Sequence, residues 1–93
     1  MNTLNIYFIK NYKNKKKILH CLNSFKSNNF IINCFFNKPK NIKIYDSDIP
    51  SFYICNNKKL ICYSSKLNHL RKKICYAKCF LLFKNKKFIY NKK

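Results

Sequence analysis

Apolar residues in this chain come in short bursts separated by lysine and asparagine, and the spacing within each burst predicts an element. Leu4-Asn-Ile-Tyr-Phe-Ile9 reads as a short first strand. A basic run from Lys13 to Lys17 follows. Then Ile18, Leu19, Cys21, Leu22 and Phe25 recur at helical intervals and mark one face of a helix. Ser27-Asn28-Asn29 reads as a turn. Phe30 to Phe36 (FIINCFF) is β-branched, aromatic and almost continuously apolar, and it is too short for an independent helix, so it predicts a buried strand. Asn37-Lys38-Pro39-Lys40-Asn41 breaks that strand. Ile42, Tyr45 and Ile49 suggest a short helix that Pro50 ends, although Ile42, Ile44 and Tyr45 also suit a strand. Ser51-Phe-Tyr-Ile-Cys55 is a further strand. Asn56 to Lys73 is mixed and basic, with Leu60 to Tyr63 extended inside it. Ile74 to Phe83 (ICYAKCFLLF) is apolar enough to predict a long central strand, and Asn85-Lys86 turns the chain toward Phe88-Ile-Tyr90.

The order is β-α-β-α-β, a basic excursion, then β. Strands separated by helices predict an α/β fold in the broad sense: an α+β sandwich, with one mainly antiparallel sheet carrying both helices on one face. The expectation is a single domain over residues 1–93 with a long basic loop over residues 56–73.

Charge narrows the partners. Lys and Arg number 21 against two acids, Asp46 and Asp48, for a net charge of +19. Hydrophobic residues at 47% and aromatics at 17% are enough for a core, which excludes a disordered basic tail. Self-repulsion on this scale opposes compaction and favours a polyanion alongside, nucleic acid first and an anionic membrane second. A codon-level bias runs beneath the charge. Gly, Trp, Val, Gln and Glu are absent while Lys, Asn, Ile, Phe and Tyr dominate, as in an A/T-rich genome of an organelle, a reduced symbiont or a parasite. Asn therefore stands where turns usually use Gly.

The chemistry of catalysis is missing. With no Glu, the side-chain carboxylates are Asp46 and Asp48, two apart, a spacing that does not share a helix face. Pairing His69 with Cys75, or His20 with Cys21, supplies no third group to orient the base. Zero glycine removes the Gly-rich phosphate cradles. No enzyme activity, small-molecule substrate or cofactor is expected. Six cysteines (Cys21, Cys34, Cys55, Cys62, Cys75, Cys79) include no Cys-x-x-Cys pair, and Cys75 and Cys79 with His69 nearby fall short of zinc-ligand spacing, so no metal is expected. The cysteines read as reduced, small core residues. No signal-peptide pattern follows Leu4 to Ile9, and no run approaches the roughly 20 apolar residues of a membrane span.

The basic, aromatic-interleaved stretches carry the functional signal. Lys58, Lys59, Lys66, Arg71, Lys72 and Lys73 crowd one segment between two predicted strands, where they can lie along phosphates. Tyr63 and Tyr76 flank it and can stack on unpaired bases. Lys38, Lys40 and Lys43, at the turn and helix start, add backbone contacts. The bland alternative is a solvated surface loop. No base-specific motif is present, so recognition is expected through RNA shape and backbone.

The order of elements resembles large-subunit ribosomal protein 23 in its bacterial and plastid form. Lys13-Asn14-Lys15-Lys16 stands where that family has a Thr-Glu/Asp-Lys-Ser signature, and Ile18 to Phe25 stands where it has a Leu-rich helix. Asn28 to Cys34, Lys38-Pro39 and Ile42-Lys43 follow its Asn-x-Tyr-x-Phe-x-Val strand, lysine-rich turn and Ile-Lys helix start. Pro50 to Ile54 matches its next strand loosely, and Tyr76 to Phe83 its final apolar strand. The family's Gly-Lys loop has no glycine here, and its N-terminal acid appears as Asn14. The resemblance implies a structural constituent of the large ribosomal subunit that binds rRNA near the peptide exit tunnel, among neighbouring ribosomal proteins. It implies a plastid-type organelle such as an apicoplast, with a mitochondrion as the alternative. Asn14 puts docking of nascent-chain factors such as trigger factor in doubt. Ile42-Lys-Ile-Tyr-Asp46 and Asn56-Asn-Lys-Lys59 resemble segments of small-subunit proteins 17 and 19, which also bind rRNA. The alternative from another class is a secreted or membrane-active cationic, cysteine-rich peptide.

Overall fold

The chain folds into a four-stranded mixed sheet with two helices, in a computed structural model that describes residues 2–9, 15–27, 29–40 and 50–85, for 84 and 85 the backbone alone. In chain order the elements are β1 (Asn2–Ile9), α1 (Lys15–Asn23), β2 (Phe30–Phe35), β3 (Ser51–Asn56), β4 (Lys59–Ser64) and α2 (Leu70–Asn85), which a 3₁₀ turn, Leu67–His69, leads into. The α+β class is the one predicted. The strands lie in the order β2-β1-β3-β4. β1 and β2 are parallel, as a crossover through a helix requires, while β1–β3 and β3–β4 are antiparallel.

Alternation in β1 sends Leu4, Ile6 and Phe8 to one face, where register aligns Ile32 with Leu4, and Cys34, Ile54 and Cys62 with Ile6. Both helices cover this face. α1 contributes Ile18 and Leu22, one turn apart, and α2 contributes Leu70, Ile74, Ala77 and Leu81 to the same core. Each large side chain fully withdrawn from water there stabilises the fold by about 1.5–3 kcal/mol. The opposite face carries a smaller cluster of Ile9, Tyr53 and Cys55 with Tyr7 packed against it. Phe35, Tyr7, Tyr53 and Tyr63 form one row across all four strands, stacked at 4.9 Å (Tyr7–Phe35) and 5.5 Å (Tyr53–Tyr63). The row is buried at its centre and exposed at both ends. β3 is therefore enclosed on both faces, which explains its unbroken apolar run.

The β3–β4 hairpin turns at Asn57, whose φ of 57° is the left-handed conformation usually given to glycine. Asparagine tolerates it best among the residues this chain uses. Register then shifts at Ile54/Cys55: Ile54 pairs with Cys62 but Cys55 with Leu60, leaving Ile61 as the extra residue of a bulge. The bulge puts Leu60 and Tyr63 on the same face although they are three residues apart.

Two expectations are corrected. Residues 74–83 form the body of α2, not a strand. Leu70, Ile74, Ala77 and Leu81 repeat at four, three and four residues and are all buried. The outward side of that helix, with Cys75, Tyr76, Cys79, Phe80 and Leu82, is apolar too, and this hid the period. Residues 56–73 are not a loop but the hairpin turn, β4, the 3₁₀ turn and the first turn of α2. The helix expected at 42–49 and the strand at 88–90 lie outside the described residues.

Candidate nucleic-acid interface

The pairing of Tyr7 with both Phe35 and Tyr53, and of Tyr53 with Tyr63, brings the C-terminal ends of β1, β2 and β4 to one end of the sheet. Both helices begin at that end. Lys15, Lys16 and Lys17 head α1, Lys38 and Lys40 follow β2, and Lys66, Arg71 and Lys72 follow β4; all are exposed. Lys15 sits with its Nζ 5.0 Å from the Phe36 ring, tying the start of α1 to the segment after β2. Lys17 and Arg71 line one hollow between the helices, over Ile18, Cys21, Leu67 and Leu70. Cations scattered along the sequence thus converge in space.

Among the described residues no carboxylate side chain stands beside these cations. Neither helix has an acid in its first turn, and Asp46 and Asp48 lie outside the described residues. The helix dipoles point their positive ends the same way, so the cations add to a field of their own sign. Lys66 even occupies the capping position before Leu67–His69, with φ −105° and ψ 112°, and its side chain caps nothing. Against a radius of gyration of 13.7 Å, a screening length of roughly 8 Å leaves these charges strongly coupled to one another.

The residues expected to touch RNA divide accordingly. Lys38, Lys40, Lys66, Arg71 and Lys72 share the basic end, Arg71 with its guanidinium turned toward α1 over the Phe25 ring at 5.7 Å. Lys58 and Lys59 sit at the hairpin turn at the opposite end, with Lys26. Lys43 lies outside the described residues. Lys73 is half-buried beside β4, where its carbonyl accepts a hydrogen bond from the Cys62 thiol at 3.6 Å. Burial pushes that thiol up to about 11, against the opposing pull of the Lys73 charge. Tyr76 and Tyr63 are brought together after all: they line one shallow hollow on the seam between β4 and α2, with Leu60 to Cys62 and Lys73.

Lys15 to Lys17 stand at the same basic end although their run served only to introduce a helix in the sequence. Their position between a strand end and a helix start was the signal. Lys78 shows the converse. Its Nζ donates to the Phe25 carbonyl at 2.6 Å and lies 5.5 and 5.1 Å from the Phe25 and Phe30 rings, so it pins α2 to the α1–β2 connection.

All six cysteines carry free thiols: Cys55 is buried, Cys21, Cys34 and Cys62 are half-buried, and Cys75 and Cys79 are exposed on α2. Among the described residues no three His, Cys, Asp or Glu side chains are grouped to hold a metal ion, and no helix is long and apolar enough to cross a membrane. No protein-family model, curated protein or solved structure matches the chain. The ribosomal resemblance therefore rests on the residues quoted for it alone.

Proposed function

We propose that this protein binds RNA through the basic end of its sheet, as a structural component of a ribosome. The observation that carries the reading is the convergence of Lys15–Lys17, Lys38, Lys40, Lys66, Arg71 and Lys72 on the end where both helices start. Counterions released from an RNA backbone reward such a patch, and phosphates relieve the repulsion that the free chain bears. The ribosomal address comes from the resemblance: Asn28 to Cys34, on and just before β2, then Lys38-Pro39 and Ile42-Lys43. A large subunit near the exit tunnel, in a plastid-type organelle, belongs to the same proposal. Tyr76 to Phe83 no longer supports it, because the family's final strand is a helix here.

The test is sedimentation of the tagged chain from the organelle that makes it, after crosslinking to RNA. The expected result is migration with the large ribosomal subunit and a crosslink to its rRNA. Migration with the small subunit, or with no ribosomal particle, overturns the address. Absence of any RNA crosslink overturns RNA binding itself.

A further inference from the structure

The basic end accounts for phosphates but leaves the aromatic surface beside it without a purpose. Opposite its buried side, α2 exposes Tyr76 at 54% and Phe80 at 42%, their ring centroids 6.3 Å apart, over a hollow shared with Cys79 and Phe83. Tyr76 also lines the hollow on the β4 seam, across from Tyr63, which is 53% exposed. One residue thus joins the two hollows into a strip that runs from the edge of β4 along α2. Lys73 lies in the same hollow, and Lys66 and Lys72 stand where the strip begins, while Arg71 turns the other way, over the Phe25 ring at 5.7 Å. Contiguous exposed rings of this kind mark a contact surface.

Charge restricts what covers it. A second copy would bring +19 against +19, and a basic or neutral protein surface gains nothing from the lysines at the strip's head. An RNA duplex presents its backbone but keeps its base faces stacked inside, out of reach of tyrosine and phenylalanine rings. An unpaired strand offers both groups at once, phosphates for the cations and a π-face from every base for the rings. Building on the RNA reading above, we infer that the RNA held here is single-stranded, its bases stacked on Tyr63, Tyr76 and Phe80 while its phosphates follow Lys73, Lys72 and Lys66.

The test uses the full chain at physiological salt with an unstructured pyrimidine RNA of about 20 nucleotides and a duplex of equal length. The strand is expected to bind at least about tenfold more tightly than the duplex. Tyr76→Leu with Phe80→Leu is expected to weaken the strand by about a hundredfold, leave the duplex within about threefold, and keep the salt dependence unchanged. Both rings are exposed, so leucine keeps the fold; Tyr63→Leu, on a different element, gives an independent loss of about tenfold. Equal affinity for strand and duplex, or equal weakening of both by the double variant, overturns the single-strand inference and leaves RNA binding standing. Binding of the chain to phosphatidylglycerol vesicles that the double variant abolishes, with strand affinity intact, assigns the strip to a membrane and overturns it too. No binding to either RNA defeats this inference and the RNA reading together.

Discussion

At Lys66, stability and RNA binding are expected to pull in opposite directions. Its backbone, φ −105° and ψ 112°, is that of a helix-capping residue, yet its side chain makes no cap and places a positive charge at the positive end of the 3₁₀ turn and α2. Lys66→Asp supplies an acceptor for an unsatisfied N–H of that first turn, worth about 1 kcal/mol. Reversing the charge adds roughly 0.3–1 kcal/mol from the helix dipole. The backbone N–H of residue 66, which donates to Ser64 Oγ at 3.0 Å, is untouched. Together these gains correspond to a melting temperature higher by roughly 6–10 °C for a domain of this size. Lys66→Ala, which removes charge without adding a cap, serves as the reference. RNA affinity should move the other way, with the salt slope shallower by about 1 for the lost phosphate contact. Thermal or urea unfolding and an RNA titration on the same three proteins complete the assay. An aspartate variant no more stable than the alanine variant, or one that binds RNA as tightly as the parent, refutes the reasoning.

Other outcomes probe the packing. Ile74→Ala, in the core, is expected to cost about 2–5 kcal/mol in urea unfolding while Phe80→Ala on the opposite side costs under about 0.5; equal costs would contradict the orientation of α2. Lys78→Met is expected to destabilise by about 1–3 kcal/mol even though it lowers the net charge, because the Phe25 carbonyl loses its donor; a stabilised variant would contradict this. Cys75 and Cys79 should alkylate fastest at mildly alkaline pH, while Cys34, Cys55 and Cys62, pushed up to about 11 by burial, react slowly; uniform rates count against the packing. The same raised thiols favour the neutral form in the folded state. Their contribution is complete below the ordinary value of 9.0 and is lost as pH rises through about 11, so the urea midpoint should fall across that window, less steeply in Cys55→Ala.

The elements that matched the sequence did so because one face of each differs from the other or because the run was too short for a helix. β1 alternates, α1 places Ile18 and Leu22 one turn apart, and β2 and β3 are short apolar runs. Asn57 takes the left-handed turn position usually given to glycine, which the reading of residues 56–73 as one loop passed over. α2 was not legible as a helix, because Tyr76, Phe80 and Leu82 make its outward side as apolar as the side that packs. Its ten-residue apolar run was already longer than most strands. The basic character of the candidate surface was legible in the sequence, but not its place. Lys16, Lys40 and Lys72 are far apart in sequence and come to the same end of the fold only because β1, β2 and β4 end together. Lys58 and Lys59, close to Lys66 in sequence, are separated from it by the length of β4.

The central claim is that one end of this molecule, rather than its charge at large, binds RNA. Two triple variants of equal charge separate these: Lys66, Arg71 and Lys72 changed to glutamine at the basic end, and Lys26, Lys58 and Lys59 changed to glutamine at the other. Titration of each against one single-stranded RNA over a range of salt concentrations reads the outcome directly. The first variant is expected to flatten the log–log salt slope by about 2 and to lose at least about tenfold in affinity, while the second keeps its affinity within about threefold. Equal losses in both would mean that the RNA responds only to bulk charge, and would contradict the account.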